Sequence, residues 1–307
     1  MRVNEKKAKT MANRRQTTEK SMQAMFFIIA TASITILFLI MLFLFKEGLP
    51  IFKTVSVKDF IFGKYWYPTS DPPDFGIFPL IVASLVVTGL SGAIAIPLGV
   101  MTAIYLSEIA SFRVGEIVKP VVELLAALPS VVIGFFGMVL VAPFLQKVFD
   151  IPTGLNLFNA SLMLAFMSIP TICSISEDAI HSVPNALREA SVALGATQLQ
   201  TIVRVVVPAS LSGISTAVIL GLSRAVGETM VVLMVAGGAA MLPTSIFDPV
   251  RPMPASIAAE MAEAPVGGEH YYALFATGIV LFLFTLLFNI VADYIAHRYS
   301  QVGEASL

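Results

Sequence analysis

Pro184-Asn185-Ala186-Leu187-Arg188-Glu189-Ala190-Ser191-Val192-Ala193-Leu194-Gly195-Ala196-Thr197 lies in a loop between two long apolar runs, 158–176 and 206–238. Pro184 suits the first turn of a helix, where its missing N–H has no intrahelical partner to lose. Gly195 suits the end of that helix, because glycine readily takes the left-handed conformation that closes a last turn. Between them Leu187, Ala190 and Leu194 fall on one face, at i, i+3 and i+7. Thr197 and Gln200 then form a capping-box pattern that restarts a helix toward Pro208. The segment predicts helix, glycine break, helix.

The flanking runs decide where that unit stands. A helix needs about 20 apolar residues to cross the hydrocarbon core of a bilayer, and both runs read as spans. Loop 177–205 therefore lies outside the membrane, and its short helix needs something to cover a small apolar face. Docking into a groove on another protein is one reading. Resting on lipid headgroups is the other; the sparse apolar face and the lack of bulky aromatics weigh against it.

Outward from this loop the same alternation continues. The chain is 57% hydrophobic and 13% charged, with a mean hydropathy of +0.85. A soluble domain carries roughly 25% charged residues, so this composition excludes a soluble enzyme. Candidate spans are 23–45, 77–106, 121–146, 158–176, 206–238 and 271–296. The chain reads as an all-α integral membrane protein with six transmembrane helices. Prolines 79, 97, 129, 143 and 170 fit kinks that neighbouring helices can satisfy.

Lysine and arginine placement orients the chain. With the N-terminus inside, inner segments hold Arg2, Lys6, Lys7, Lys9, Arg14, Arg15, Lys20, Arg113, Lys119, Arg188, Arg204 and Arg298. Outer segments hold half as many: Lys46, Lys53, Lys58, Lys64, Lys147 and Arg251. Both termini are expected in the cytoplasm, with the protein in the cell inner membrane. The division is a basic tail at 1–22, a first span at 23–45, an outer loop at 46–76, a core at 77–298 and a C-terminal tail at 299–307. The first run is too long for a signal-peptide core and lacks a small-residue cleavage site. The basic tail is placed to meet anionic lipid.

Other polar residues read plainly. Trp66, with Tyr65 and Tyr67, is expected as an aromatic anchor at the interface, and 254–263 as a short outer helix. Cys173 reads as a small core residue. Glu123 and Asp293 read as interfacial. Glu177 and Asp178 are expected near the first turn of the inner helix, where the helix dipole favours negative charge. No cofactor, metal or nucleic-acid partner is expected: the histidines show no ligand spacing, and no constellation for catalysis stands out.

Arg224 and Glu228 are the exception. The run from Val205 to Phe247 is otherwise uncharged, and ionised residues inside a membrane mark functional paths or paired structure. At i, i+4 they are expected on one helix face within pairing distance. Arg224 would line an anion pathway, its planar fork matching an oxyanion, and Glu228 would hold and moderate it. The alternative is a structural salt bridge.

Glu189-Ala190-Ser191, three residues, Gly195, nine residues, then Val205-Val206-Val207-Pro208 resembles the EAA loop of ABC importer permeases, departing mildly at Ser191, Val205 and Val207. The resemblance implies a type I ABC importer permease fold. It also implies a coupling helix carrying Leu187, Glu189, Ala190, Ser191, Leu194 and Gly195 that seats in a cytoplasmic ATP-binding subunit. The chain has no phosphate-binding loop of its own. Further motifs are similar to the PstC-type permeases of phosphate importers: Trp66-Tyr67-Pro68, Tyr105-Leu106-Ser107-Glu108, Leu128-Pro129-Ser130 and Arg224-Ala225-Val226-Gly227-Glu228-Thr229. That likeness implies a PstA-type sister permease, a periplasmic phosphate-binding protein and phosphate as cargo. A sister-type subunit, another oxyanion such as sulfate or molybdate, and an ion-gradient-driven transporter remain the alternatives at this point.

Overall fold

The computed structural model describes the backbone of residues 2–304 and the side chains of residues 19–20 and 22–294. Most side chains expected of the basic N-terminal tail, and those of the C-terminal tail, lie outside the described residues. Among the described residues six helices are long and apolar enough to cross a membrane: Met22–Lys53, Phe78–Ile109, Ser130–Phe149, Leu157–His181, Gln198–Val226 and Glu269–Tyr294.

In chain order, α1 (Arg2–Gly48) leads through a 3-10 turn to α2 (Val57–Phe62) and a hairpin of β1 (Trp66–Tyr67) and β2 (Asp74–Phe75), paired antiparallel with Trp66 opposite Phe75. Then come α3 (Phe78–Ile104), α4 (Phe112–Ala126), α5 (Ser130–Phe136), α6 (Ala142–Phe149) and α7 (Leu157–His181). After them follow α8 (Asn185–Ala193), α9 (Gln198–Thr201), α10 (Val207–Val226), α11 (Met230–Val235), α12 (Met253–Glu260) and α13 (Glu269–Glu304). Single π-helical turns at Tyr105–Ile109, Gly137–Val141 and Ile202–Val206 extend α3, join α5 to α6 and join α9 to α10.

α7 is the axis of the bundle; α3 and α10 both pack along it. Lipid tails are as apolar as leucine, so spans associate by close packing, which small residues permit. A Cβ at Gly213 would stand 2.3 Å from that of Ala179, so α10 and α7 touch there almost backbone to backbone. Asn159, fully buried, donates to the carbonyls of Gly137 and Gly154 at 3.1 and 2.8 Å. It thereby serves two carbonyls where water cannot reach. α1 is peripheral and packs on α13.

Three expectations about boundaries are corrected. The third span begins at Ser130, not 121. Residues 112–126 form the separate α4, which buries none of its residues and carries Arg113, Glu116, Lys119 and Glu123; Pro129 at the start of α5 marks the break. The fifth span ends at Val226, and α11 is a separate short helix. Glu177 and Asp178 lie near the C-terminal end of α7, where the helix dipole opposes them. Lys119 Nζ answers both, at 2.9 Å from Glu177 and 3.6 Å from Asp178. The hydrogen bond to Glu177, together with both negative charges, outweighs burial and raises the Lys119 pKa above that of an ordinary lysine.

Trp66 is not an interfacial anchor. It is 2% exposed, in a cluster with Phe60, Phe75, Ile77 and Leu274, while Tyr65 and Tyr67 remain exposed. Its indole N–H donates to Glu260 Oε2 at 3.0 Å. Glu260 also pairs with Arg251 and, at 2.8 Å, with His270. One carboxylate on α12 thus binds the hairpin, the segment before α12 and the start of α13. Removing it takes the acceptor from Trp66, Arg251, His270 and Ser256, and losing one member of a buried ionic network costs about 2–4 kcal/mol. Glu260→Ala is expected to lower the Tm of the detergent-purified protein measurably, and Glu260→Gln by less, because the amide oxygen still accepts.

Candidate functional site

The helix–glycine–helix unit forms as the local chemistry requires. α8 spans Asn185–Ala193 after Pro184. Gly195 has φ +86°, the left-handed conformation that ends the turn. Thr197 and Gln200 complete a reciprocal capping box at the start of α9. The expected face is exposed: Leu194 is 90% exposed, Glu189 and Ala190 are also exposed, and Leu187 turns half inward. Leu187, Ala190, Ser191, Leu194 and Gly195 line one groove of about 530 Å³, walled on the far side by Gln200 and Arg204. An apolar rim around a concave surface suits a helix or loop from another protein.

Two polar residues that the sequence motifs did not link hold this unit to the bundle. Arg188 forms an ion pair with Glu108 at the end of α3, Nη2 to Oε1 at 2.6 Å. The pair separates 80 positions in sequence, so no local spacing discloses it.

Arg224 and Glu228 are not brought together. Arg224 occupies the last turn of α10, and Glu228 lies in the break Gly227–Thr229 before α11. No ion pair joins them, because the helix that would align i with i+4 has ended. Glu228 Oε1 instead accepts from the backbone N–H of Met230 at 3.1 Å and of Val231 at 3.3 Å. It serves as the cap of α11, and its chemistry is needed: irregular backbone at membrane depth must find its partners within the protein. Thr229 donates at 3.4 Å to the Gly227 carbonyl.

The depth of the break follows from its neighbours. A Cβ at Gly92 would meet Leu222, and one at Gly221 would meet Ile172. Gly92 lies near the middle of the span Phe78–Ile109. Arg224 is therefore at mid-depth, although it ends its own helix. It is exposed on the single chain, and among the described residues it has no hydrogen-bonding or ionic partner.

Beside α4, at the α8 end of the bundle, a cavity of about 680 Å³ is lined by Glu116, Lys119, Glu123, Glu177 and His181. Its only lysine is already paired and its carboxylates repel anions. The unpaired guanidinium of Arg224 is the stronger candidate for meeting an anion.

Residues 95–301 match the family described as "Binding-protein-dependent transport system inner membrane component". The chain is 40% identical over 277 residues to the "Probable ABC transporter permease protein YqgH" of Bacillus subtilis, covering 90% of this chain and 88% of the relative. It is 34% identical over 258 residues to the "Phosphate transport system permease protein PstC" of Mesorhizobium japonicum, covering 78% of each. The PstC protein of Haemophilus influenzae is 31% identical over 294 residues, covering 88% of this chain and 92% of that one. A bacterial alginate ABC transporter superposes with a TM-score of 0.63 at 18% identity, over 92% of this chain and 97% of that one; at that identity the likeness speaks to fold alone. The chain belongs to the family of inner-membrane components of binding-protein-dependent transport systems, ABC importer permeases that work with separate ATP-hydrolysing subunits and a binding protein.

Proposed function

We propose that this protein is one of two permease subunits of an ATP-driven importer that carries inorganic phosphate, with Arg224 lining the path. The observation that carries the role of Arg224 is an unpartnered, exposed guanidinium at mid-depth. A charge left there without a partner is costly, and it persists where it faces a water-filled path or a charged cargo. Guanidinium stays charged and presents a planar fork to phosphate oxygens. The names of the relatives point to phosphate in particular. Glu228 acts beside the path by holding the helix break open, instead of neutralising Arg224.

In this reading a PstA-type sister subunit supplies the other wall of the path. The groove at Leu187, Ala190, Ser191, Leu194 and Gly195, with the exposed Glu189 on the same helix, receives an ATP-binding subunit. A phosphate-binding protein delivers cargo at the hairpin end. Both termini lie in the cytoplasm, following the basic residues, and the N-terminal tail meets anionic lipid. Closure of the ATPase pair moves α8, and the spans alternate access between the two sides.

The test is uptake by cells lacking this gene. Radiolabelled phosphate, sulfate and molybdate are supplied at low concentration, with and without the wild-type chain restored. Loss confined to phosphate is the expected result. Loss confined to sulfate or molybdate would keep the permease and remove phosphate as its cargo.

A further inference from the structure

α8 buries none of its own residues, so packing alone grips it weakly. On its other side α8 meets α9 and the following π-turn, where Ser191 Oγ and Thr201 Oγ1 stand 2.9 Å apart. Arg188 supplies its polar connection to the ends of α7 and α3. Its Nη2 donates to Glu108 Oε1 at 2.6 Å and to the Ile180 carbonyl at 3.0 Å. Its Nε reaches Glu108 Oε2 at 3.5 Å, and Nη1 donates to the Val183 carbonyl. One guanidinium thus joins α8, the end of α7 and the π-turn that closes α3.

Past Gly195 the connection is made a second time. Gln198 Nε2 donates to the main-chain carbonyl of Glu108 at 3.0 Å. Both arms of the helix–glycine–helix unit therefore converge on Glu108, one on its carboxylate and one on its backbone. The side chains of Arg188 and Glu108 are 21% and 11% exposed. Shielding from water strengthens such a pair, and the fork-on-carboxylate geometry resists rotation better than a point charge does. Glu108 ends the span Phe78–Ile109, and α3 packs along the central helix α7. A displacement of α8 reaches α3 through this pair sooner than through the half-buried Leu187.

We propose that Glu108 and Arg188 form the strut that transmits movement of α8 to the span ending at Ile109, so that the pair sets how much transport each ATP yields. They are positioning residues that do not touch the cargo. The proposal rests on the reading of α8 as the ATPase-coupling helix.

The whole importer, reconstituted in lipid vesicles with its ATPase subunits and binding protein, is assayed for inorganic phosphate imported and ATP hydrolysed. Glu108→Ala and Arg188→Ala are each expected to lower the phosphate-to-ATP ratio about tenfold, the worth of one charge-assisted pair. The double variant is expected to fall no further, because a strut missing either end carries nothing. Arg188→Lys should recover part of the ratio.

Single variants with the wild-type ratio overturn the proposal. So does a double variant whose losses multiply. So does a fall only in the amount of assembled importer, with the ratio per complex unchanged, since that describes a fold-holding contact. If the alanine variants do not assemble, Glu108→Gln replaces them: it removes the charge and keeps a hydrogen-bonding oxygen, and a wild-type ratio there is equally fatal. A wild-type chain that brings down no ATPase removes the coupling reading itself, whereas a normally coupled wild type beside normally coupled variants removes only the strut.

Discussion

Arg224→Gln is expected to lower phosphate uptake at least about a hundredfold while leaving the protein in the membrane at wild-type abundance. The size follows from what the guanidinium does in this reading. It is the one unpaired cation at mid-depth among the described residues of the spans, and a charge-assisted contact to a desolvated anion contributes about 3 kcal/mol, or about a hundredfold in rate. Glutamine keeps a similar length and can donate hydrogen bonds, but it brings no charge. Membrane abundance should hold because Arg224 makes no contact on which the fold depends.

The companion variant separates path from scaffold. Glu228→Gln keeps an oxygen for the N–H groups of Met230 and Val231 and is expected to retain most uptake. Glu228→Ala leaves those groups unserved and should lower abundance. If Arg224 and Glu228 worked instead as a mutually neutralising pair, the two glutamine variants would fail alike. Initial uptake rates at matched membrane levels decide the matter, and normal uptake by Arg224→Gln would end the pathway role.

The second large effect is expected at the groove beside α8. Leu194→Asp and Ala190→Arg should each abolish copurification of the ATP-binding subunits and, with it, uptake. Leu194 is 90% exposed and has little of its own chain to pack against. A large apolar side chain at the centre of an interface typically contributes about 2–4 kcal/mol, and a charge placed there adds a desolvation cost. The variant permease should still reach the membrane, because neither residue supports the bundle. Pull-down of the ATPase with tagged permease, run beside the wild type, is the measurement. Retention of ATPase by both variants would move the docking surface elsewhere.

The helix–glycine–helix loop was legible because its signals are local. Pro184, Gly195 and the Thr197–Gln200 box each act within a turn of backbone, and each was found in its expected place. The spans were legible because the bilayer imposes a length and an apolar composition that few other environments require. Boundaries failed where apolar runs hid a change of direction. Val121–Leu128 reads as the start of a span, yet it belongs mostly to α4. Pro129 marks the turn into α5, but a membrane helix also tolerates proline as a kink, so that residue alone does not disclose the change of direction. The same holds at Gly227: hydropathy continues through 230–238, but the helix stops at Val226.

The side-chain partners were least legible. Trp66 met a carboxylate 194 positions away, and Arg188 one 80 positions away. Glu228, spaced ideally for Arg224, turned to the backbone instead, because the helix between them does not exist. The sequence by itself determined that the chain is a six-span membrane protein, that a helix breaks at Gly195 outside the membrane, and that charge occurs within the fifth apolar run. These properties depend on composition and on residues within a few positions of each other. Only the tertiary structure decided which charges are paired, which stay free, and which carboxylate meets Arg188 of the helix–glycine–helix loop. A side chain in a low-dielectric interior takes whatever partner the packing brings within hydrogen-bonding reach, however distant that partner is along the chain.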